Sequence, residues 1–301
     1  MEEAEYKMEE GRVMGTEFTS KENNHDRQQQ GTRKYNSISV KEEGRGVALE
    51  LHRLLTQPTT TCHKMIRMGG RSCLGAYDGT KMVCLDNDMQ MKARQCLVYS
   101  FGVGHDFTFD EQVQDLGCEV HSFDHDFDHE IYDYRIGPTA FFHKVRIGPK
   151  TGSYSYCDDA AIGTGCDPPI RYQTFTDIRK SLGHERRRVD YLKFDIEGGE
   201  WEVLQQLLHC RSTRALLAAA SHISIEVHLD AVLHMKTPEE KQNLLTTYLN
   251  TVNNLTLLGY HLLSYETNEL NPQYEEVDGV QLSLFSEVLL INRNMQNFVL
   301  E

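Results

Sequence analysis

The sequence predicts an α/β fold built on a mainly parallel sheet. From residue 97 onward, short apolar runs alternate with stretches of helical periodicity, the pattern left by strands joined through crossover helices. The first run, "CLVYSFGVG" (96–104), stops on glycines just before a helix, and the second, "CEVHSFD" (118–124), ends on a carboxylate. A third, "VDYLKF", delivers Asp195 and Glu197 to its carboxyl end.

Residues 1–45 are polar and rich in Glu, Lys, Gln and Asn. They bury too little apolar surface to offset their ordering entropy and are predicted to be a disordered tail. Residues 46–95 form an N-terminal extension. It holds a helix in "GVALELHRLL" (46–55), with Val47, Leu51, Leu54 and Leu55 on one face and Pro58 as its stop, and a small hairpin within 68–88. The main domain, 96–301, opens with the glycine-ended strand. "TFDEQVQDLG" (108–117) is a helix, with Thr108 and Glu111 as a capping box and Gly117 as its end. After the second strand come a third in "AFFHKVRIG" (140–148), a long loop to about Pro169, a short helix in 174–183, and a strand running into a helix over 189–208. "ISIEVHL" (223–229) is a strand, and Thr237, Pro238 and Glu240 open a long amphipathic helix with Leu244, Leu245, Tyr248, Leu249 and Val252 inward. Two strands, 260–266 and 286–293, close the chain around a loop of about 20 residues, long enough to suggest a functional role.

Composition narrows the function. Against 31 Lys+Arg stand 45 Asp+Glu, a net charge of -14 that repels phosphate backbones, so nucleic acid is not expected as a partner. No apolar run approaches the roughly 20 residues of a membrane span, and "MEEAEYKMEEGRVMG" lacks the features of a signal peptide. The chain is therefore expected to be soluble, and cytoplasmic by default. Its eight cysteines are compatible with disulfides in an exported protein and with reduced thiols in an intracellular one.

Glycines at a strand end let backbone approach a nucleoside-like ligand, because no Cβ intervenes. Ser100, Phe101, Gly102, Val103 and Gly104 make that loop, and Asp124, about 20 residues on, stands where ribose hydroxyls are bound. Phe107 occupies the place of the third glycine that a pyrophosphate cofactor wants. An adenosyl ligand without phosphates tolerates that loss, so S-adenosylmethionine fits better than NAD. Asp195 and Glu197 sit at the end of a buried strand, and ionised groups there need a partner or a purpose. Glu226 and His228 share one face of "SIEVHL". His228 reads either as a general base near neutral pH or as a satisfied histidine. The stretch "HSFDHDFDHE" (121–130) invites a metal reading; its histidines divide between a strand and a loop, and no metal is expected. Asp126, Asp128 and Glu130 read as solvated loop charges, with His125 and His129 along the adenosine edge.

"VYSFGVGHDFTFDEQVQDLGCEVHSFD", "YLKFDIEGGEWEVL", "SIEVHL" and "FSEVLLINR" together resemble the FkbM-type and methyltransferase-like branch of class I S-adenosylmethionine-dependent methyltransferases, over about residues 62–293. The resemblance implies a Rossmann-like class I methyltransferase fold: a mostly parallel seven-stranded sheet, an antiparallel last strand, and helices on both faces. It implies S-adenosylmethionine as cofactor, held by Ser100 to Gly104 and Asp124, with Asp195 beside the sulfonium. It implies methyl transfer, often to a hydroxyl oxygen; a hydroxyl or carboxyl group of a small-molecule, glycan or lipid acceptor is expected. Asp195 or His228 would be the base, and Glu197 or Glu226 would position the acceptor. Two other readings share these motifs: a non-catalytic cofactor-binding module on the same fold, and an NAD-dependent oxidoreductase. The loops 149–170 and 267–285, with Tyr154, Tyr156 and Tyr274, are candidates for the acceptor pocket.

Overall fold

The computed structural model describes residues 40–73, 76–89, 91–125, 133–154 and 169–294. The tail expected for 1–45 lies outside the described residues up to position 39. Helix α1 (Val40–Thr56) starts earlier than the predicted residue 46 and buries Ala48, Leu51 and Leu55, with Val47 and Leu54 packed alongside. Strands β1 (Met65–Met68), β2 (Arg71–Cys73), β3 (Ala76–Asp78) and β4 (Lys81–Cys84) make two nested hairpins, β1 with β4 and β2 with β3.

Next come β5 (Leu97–Phe101), α2 (Thr108–Asp115), β6 (Glu119–Asp124), β7 (Tyr134–Arg135) and β8 (Ala140–Lys144). The short strands β9 (Arg146–Ile147), β10 (Gly152–Tyr154) and β11 (Ile170–Gln173) form a separate sheet; β9 falls at the end of the stretch predicted as the third strand, β10 in the region expected to be loop, and β11 just past it. They lead into α3 (Phe175–Ser181), β12 (Tyr191–Phe194), α4 (Glu200–His209), α5 (Arg211–Ala219) and β13 (His222–His228). The chain then runs through α6 (Pro238–Leu257), β14 (His261–Thr267), the hairpin β15 (Tyr274–Val277) and β16 (Val280–Ser283), and β17 (Phe285–Ile291).

One mixed sheet of eight strands, ordered β14-β17-β13-β12-β5-β6-β8-β7, organises these elements. Seven mostly parallel strands were expected. The eighth is the two-residue edge strand β7, antiparallel to β8. β17 lies antiparallel between β13 and β14, and the strands from β13 to β8 are parallel. All residues of β5 and β12 are buried, which explains why these strands read as continuous apolar runs: both faces of the sheet are covered. On one face α1, α3, α4 and α6 pack against Tyr99, Phe101, Leu192 and Phe194. On the other, α2 and the β1–β4 hairpin cover Val98, Val120, Tyr191 and Leu289. The Tyr191 hydroxyl donates to the Met82 carbonyl at 2.9 Å, anchoring the hairpin to the sheet.

Two local expectations are corrected. Phe107, not Thr108, is the N-cap of α2; the Thr108 hydroxyl accepts the Gly70 N–H at 2.7 Å and serves a tertiary contact. The loop before the last strand carries the β15–β16 hairpin. The capping box of Thr237 and Glu240 on α6 is formed as expected.

Among the described residues, four cysteines pair. Cys62–Cys84 ties the approach to β1 to the end of β4, and Cys96–Cys118 joins the segments entering β5 and β6. Each bridge spans 22 residues of chain. Their reduction is expected to cost roughly 2–4 kcal/mol per bridge, seen as a lower urea midpoint in reducing buffer. An unchanged midpoint would mean that the bridges do not form.

Candidate functional site

A cavity of about 520 Å³ opens where the carboxyl ends of β5, β6, β12 and β13 meet. Gly102, Val103, Gly104, Asp124, Lys193, Asp195, Glu197 and Glu226 line it, and the nested hairpins contribute Gly70, Arg71, Asp78 and Gly79. Its size suits a small-molecule ligand, and its place at the strand ends is where open α/β sheets bind theirs.

The glycine loop is held from two sides. Asp124 Oδ2 accepts the N–H groups of Val103 and Gly104, both at 2.7 Å, and Oδ1 accepts that of His125 at 2.6 Å. Consecutive amides converging on one carboxylate form an anion nest. Asp124 thus lines the cavity and also clamps the loop, a duty that the sequence reading did not foresee. Beneath the loop, Gly102 approaches the Asp195 carbonyl so closely that an added Cβ would lie 1.5 Å from the oxygen. Ser100 and Phe101, expected in the cofactor loop, are fully buried and do not line the cavity. Phe101 stacks on Phe123 and Phe194 at 4.9 and 5.4 Å between ring centroids. These two residues are the floor that supports the loop.

Under the cavity lies a buried charge cluster. Glu226 on β13 and Glu287 on β17 are directly paired across the antiparallel ladder, an arrangement that costs energy unless the charge is compensated. Lys81, fully buried on β4, supplies compensation: its Nζ donates to Asp195 at 3.0 Å and to Glu287. Lys193 lies 3.3 Å from Asp195 and donates to the Gly102 carbonyl. Although burial works against its charge, Lys81 is held above its ordinary value by Asp195, Glu287 and Glu226. Asp195, despite burial, is held well below the usual carboxylate range by Lys193 and Lys81. Burial and the neighbouring Asp195 push Glu226 up to about 9, and burial raises Glu287. Asp195 is therefore held toward its anion, while Glu226, at about 9, keeps its proton at neutral pH.

His228, expected as a candidate base, lies outside the cavity lining and between two carboxylates. Its Nε2 lies 3.4 Å from Glu197 and its Nδ1 3.3 Å from the fully buried Glu200. Burial opposes the charge, but hydrogen bonds to Glu197 and Glu200 outweigh it and push His228 up to about 11. The raised value favours the cationic form of His228, as an anchor for the two carboxylates. It fixes the "DIEGGE" turn, in which Glu197 adopts a positive φ of 55° and Glu200 accepts the Ile196 N–H at 2.7 Å. Because the folded value is raised, this interaction stabilises fully below the unfolded histidine value of roughly 6.5 and is lost as pH rises through about 11. In urea titrations between pH 6 and 11, His228→Gln should flatten the fall in stability seen for the native chain; parallel curves would contradict the assignment.

Lys81, Lys193, Glu287 and Arg146 were not foreseen as site residues. A signal existed: Lys193 and Glu287 interrupt apolar strand runs, where unpaired charge is rarely tolerated. His125 lines the cavity as expected, whereas Asp126, Asp128, His129 and Glu130 lie outside the described residues, as does Tyr156. Tyr154 packs edge-on against Tyr172, and neither it nor Tyr274 lines the cavity.

Comparison with known proteins places the chain in a family. The family described as "Methyltransferase domain" matches residues 16–280 of the chain. The chain belongs to that family. Among curated relatives, the probable methyltransferase-like protein 24 of Rattus norvegicus is 28% identical over 155 residues, covering 49% of this chain and 38% of the relative. Its Homo sapiens counterpart is 28% identical over 154 residues, covering 49% and 37%. The matched segment thus spans less than half the length of either relative. Two solved structures of a 16S rRNA (adenine(1408)-N(1))-methyltransferase from Catenulisporales acidiphilia align at TM-scores of 0.31 and 0.32 and identities of 11% and 13%. They cover 72% and 70% of this methyltransferase-family chain, and 96% and 95% of their own. Those proteins are named for action on RNA, and the expectation that nucleic acid is excluded as a partner is withdrawn, because net charge alone does not carry that exclusion. The likeness is too low to argue for an RNA acceptor here. No helix among the described residues is long and apolar enough to cross a membrane.

Proposed function

We propose that the chain, as an FkbM-type member of the methyltransferase-like branch, binds S-adenosylmethionine in this cavity and methylates an oxygen acceptor by in-line displacement. The observation that carries the reading is the cavity between the Gly102-Val103-Gly104 loop and the ionised Asp195, with Asp124 at its edge. The cofactor would supply a methyl carbon already activated by positive sulfur. Asp195 offers that sulfur a fixed negative charge, and the loop offers backbone contact without side-chain obstruction. Orientation is then the main task left to the protein.

The arrangement of the carboxyl and cationic groups bears on the acceptor. Of the described residues proposed to act, His228 is held cationic, Glu197 is paired with it at 3.4 Å, Glu226 keeps its proton, and Asp195 is paired with two ammonium groups. A hydroxyl acceptor would need a base to remove its proton. A carboxylate acceptor would not, and Arg146 on the cavity wall gives it a cationic partner. Carboxyl methylation is therefore the favoured branch. The two disulfides favour an oxidising compartment over the cytoplasm expected by default. Thermal-shift titration tests the cofactor: stabilisation by S-adenosylhomocysteine and none by NADH is expected, and the reverse would sink the proposal.

A further inference from the structure

We infer that Glu119, His121 and His184 form a binding site for a zinc-class divalent cation, separate from the cavity, in place of the metal-free reading of the "HSFDHDFDHE" stretch. Glu119 and His121 stand on β6, and His184 lies in the connection after α3. Glu119 Oε1 is 3.0 Å from His121 Nε2 and 3.4 Å from His184 Nε2. One donor atom from each of the three residues falls within 4.8 Å of the others. Zinc bonds of about 2.0–2.1 Å at tetrahedral angles separate neighbouring donors by roughly 3.3 Å, so the triad needs little movement to close on an ion.

The far sides of both rings are also arranged for ligation. His121 Nδ1 lies 2.8 Å from His143 Nε2, and His143 Nδ1 is 3.3 Å from Asp133. His184 Nδ1 is 2.8 Å from the Tyr99 hydroxyl. With each Nε2 turned to the cation, each Nδ1 carries the proton and donates it outward, to His143 and to Tyr99. Such outer hydrogen bonds fix the tautomer and orientation of metal-binding histidines.

A positive group already uses this position. Arg187 Nη1 lies 2.6 Å from Glu119 Oε1 and 3.0 Å from His184 Nε2, on the lone pairs that a metal would take. Its side chain is 40% exposed, so it can withdraw to solvent, whereas the two histidines are buried. A bound ion would join β6 to the connection after α3, with hydrogen bonds extending to β5 through Tyr99 and to β8 through His143.

The test uses the full chain, stripped with a chelator and titrated with zinc chloride against a chromogenic chelator, with cobalt chloride absorption reporting tetrahedral ligation. One zinc equivalent should bind. Affinity should fall at least about tenfold in His184→Ala and Glu119→Gln and rise severalfold in Arg187→Ala, where the competing cation is gone. If the ligand variants fail to fold, the exposed Arg187→Ala variant still decides. Zinc that binds no better to Arg187→Ala than to the native chain, folded ligand variants that keep full affinity, or no zinc uptake at all would each overturn the site.

Discussion

Gly102→Ala is expected to cost about 4–5 kcal/mol of folding free energy or more, a loss at the far end of what single substitutions do. Two causes act together. The residue sits at φ +75°, where L side chains are strained, and its Cβ would meet the Asp195 carbonyl oxygen at 1.5 Å. Neither partner has room to yield. Asp195 N–H is bonded to the Phe101 carbonyl in the ladder, and Gly102 N–H to that of Phe123. Gly104, two residues on, gives the control. It is also left-handed, at φ +52°, but an added Cβ meets nothing within 4 Å. Gly104→Ala should therefore cost only about 1–2 kcal/mol. Urea unfolding of the two variants separates clash from backbone strain, and equal losses would contradict this account of the loop.

Lys81→Met should produce the second largest effect. The ammonium is fully buried between Asp195 and Glu287, and its removal takes from Glu287 its ammonium partner and leaves Asp195 with Lys193 alone. Breaking a buried pair from one side typically costs about 3–5 kcal/mol. The deficit should shrink as pH falls and the stranded carboxylates take up protons, so it should be larger at pH 8 than at pH 6. Adding Glu287→Leu should restore part of the loss, because the two positions share one interaction. A deficit independent of pH, with no recovery in the double variant, would argue that Lys81 acts only by filling space.

The sheet was legible because its strands are covered on both faces and so read as largely apolar runs. "LVYSF" could be placed from its apolar residues, and "YLKF" from those on either side of Lys193. α5 was missed since it follows α4 directly at Cys210, with no breaker residue between them to mark a second helix. Thr108 was misread as a cap because its hydroxyl serves Gly70, 38 residues away. The same limit applies to the site. The spacing of Gly102, Gly104 and Asp124 placed three residues on one cavity, since strand order carries them there. The charges of Asp195, Glu226 and His228 could not be read, since they depend on partners that the fold alone brings near. Lys81 reaches Asp195 across 114 positions and Glu287 across 206. No local pattern encodes such a contact.

The central claim is that the cavity beside Gly102 to Gly104 holds the methyl donor. A crystal structure of the chain with S-adenosylhomocysteine at saturating concentration tests it most directly. The account predicts the adenosyl group against the Gly102-Val103-Gly104 loop, the ribose on the Asp124 side, and the sulfur facing Asp195. A ligand bound elsewhere, or an empty cavity in a well-ordered crystal, would contradict it.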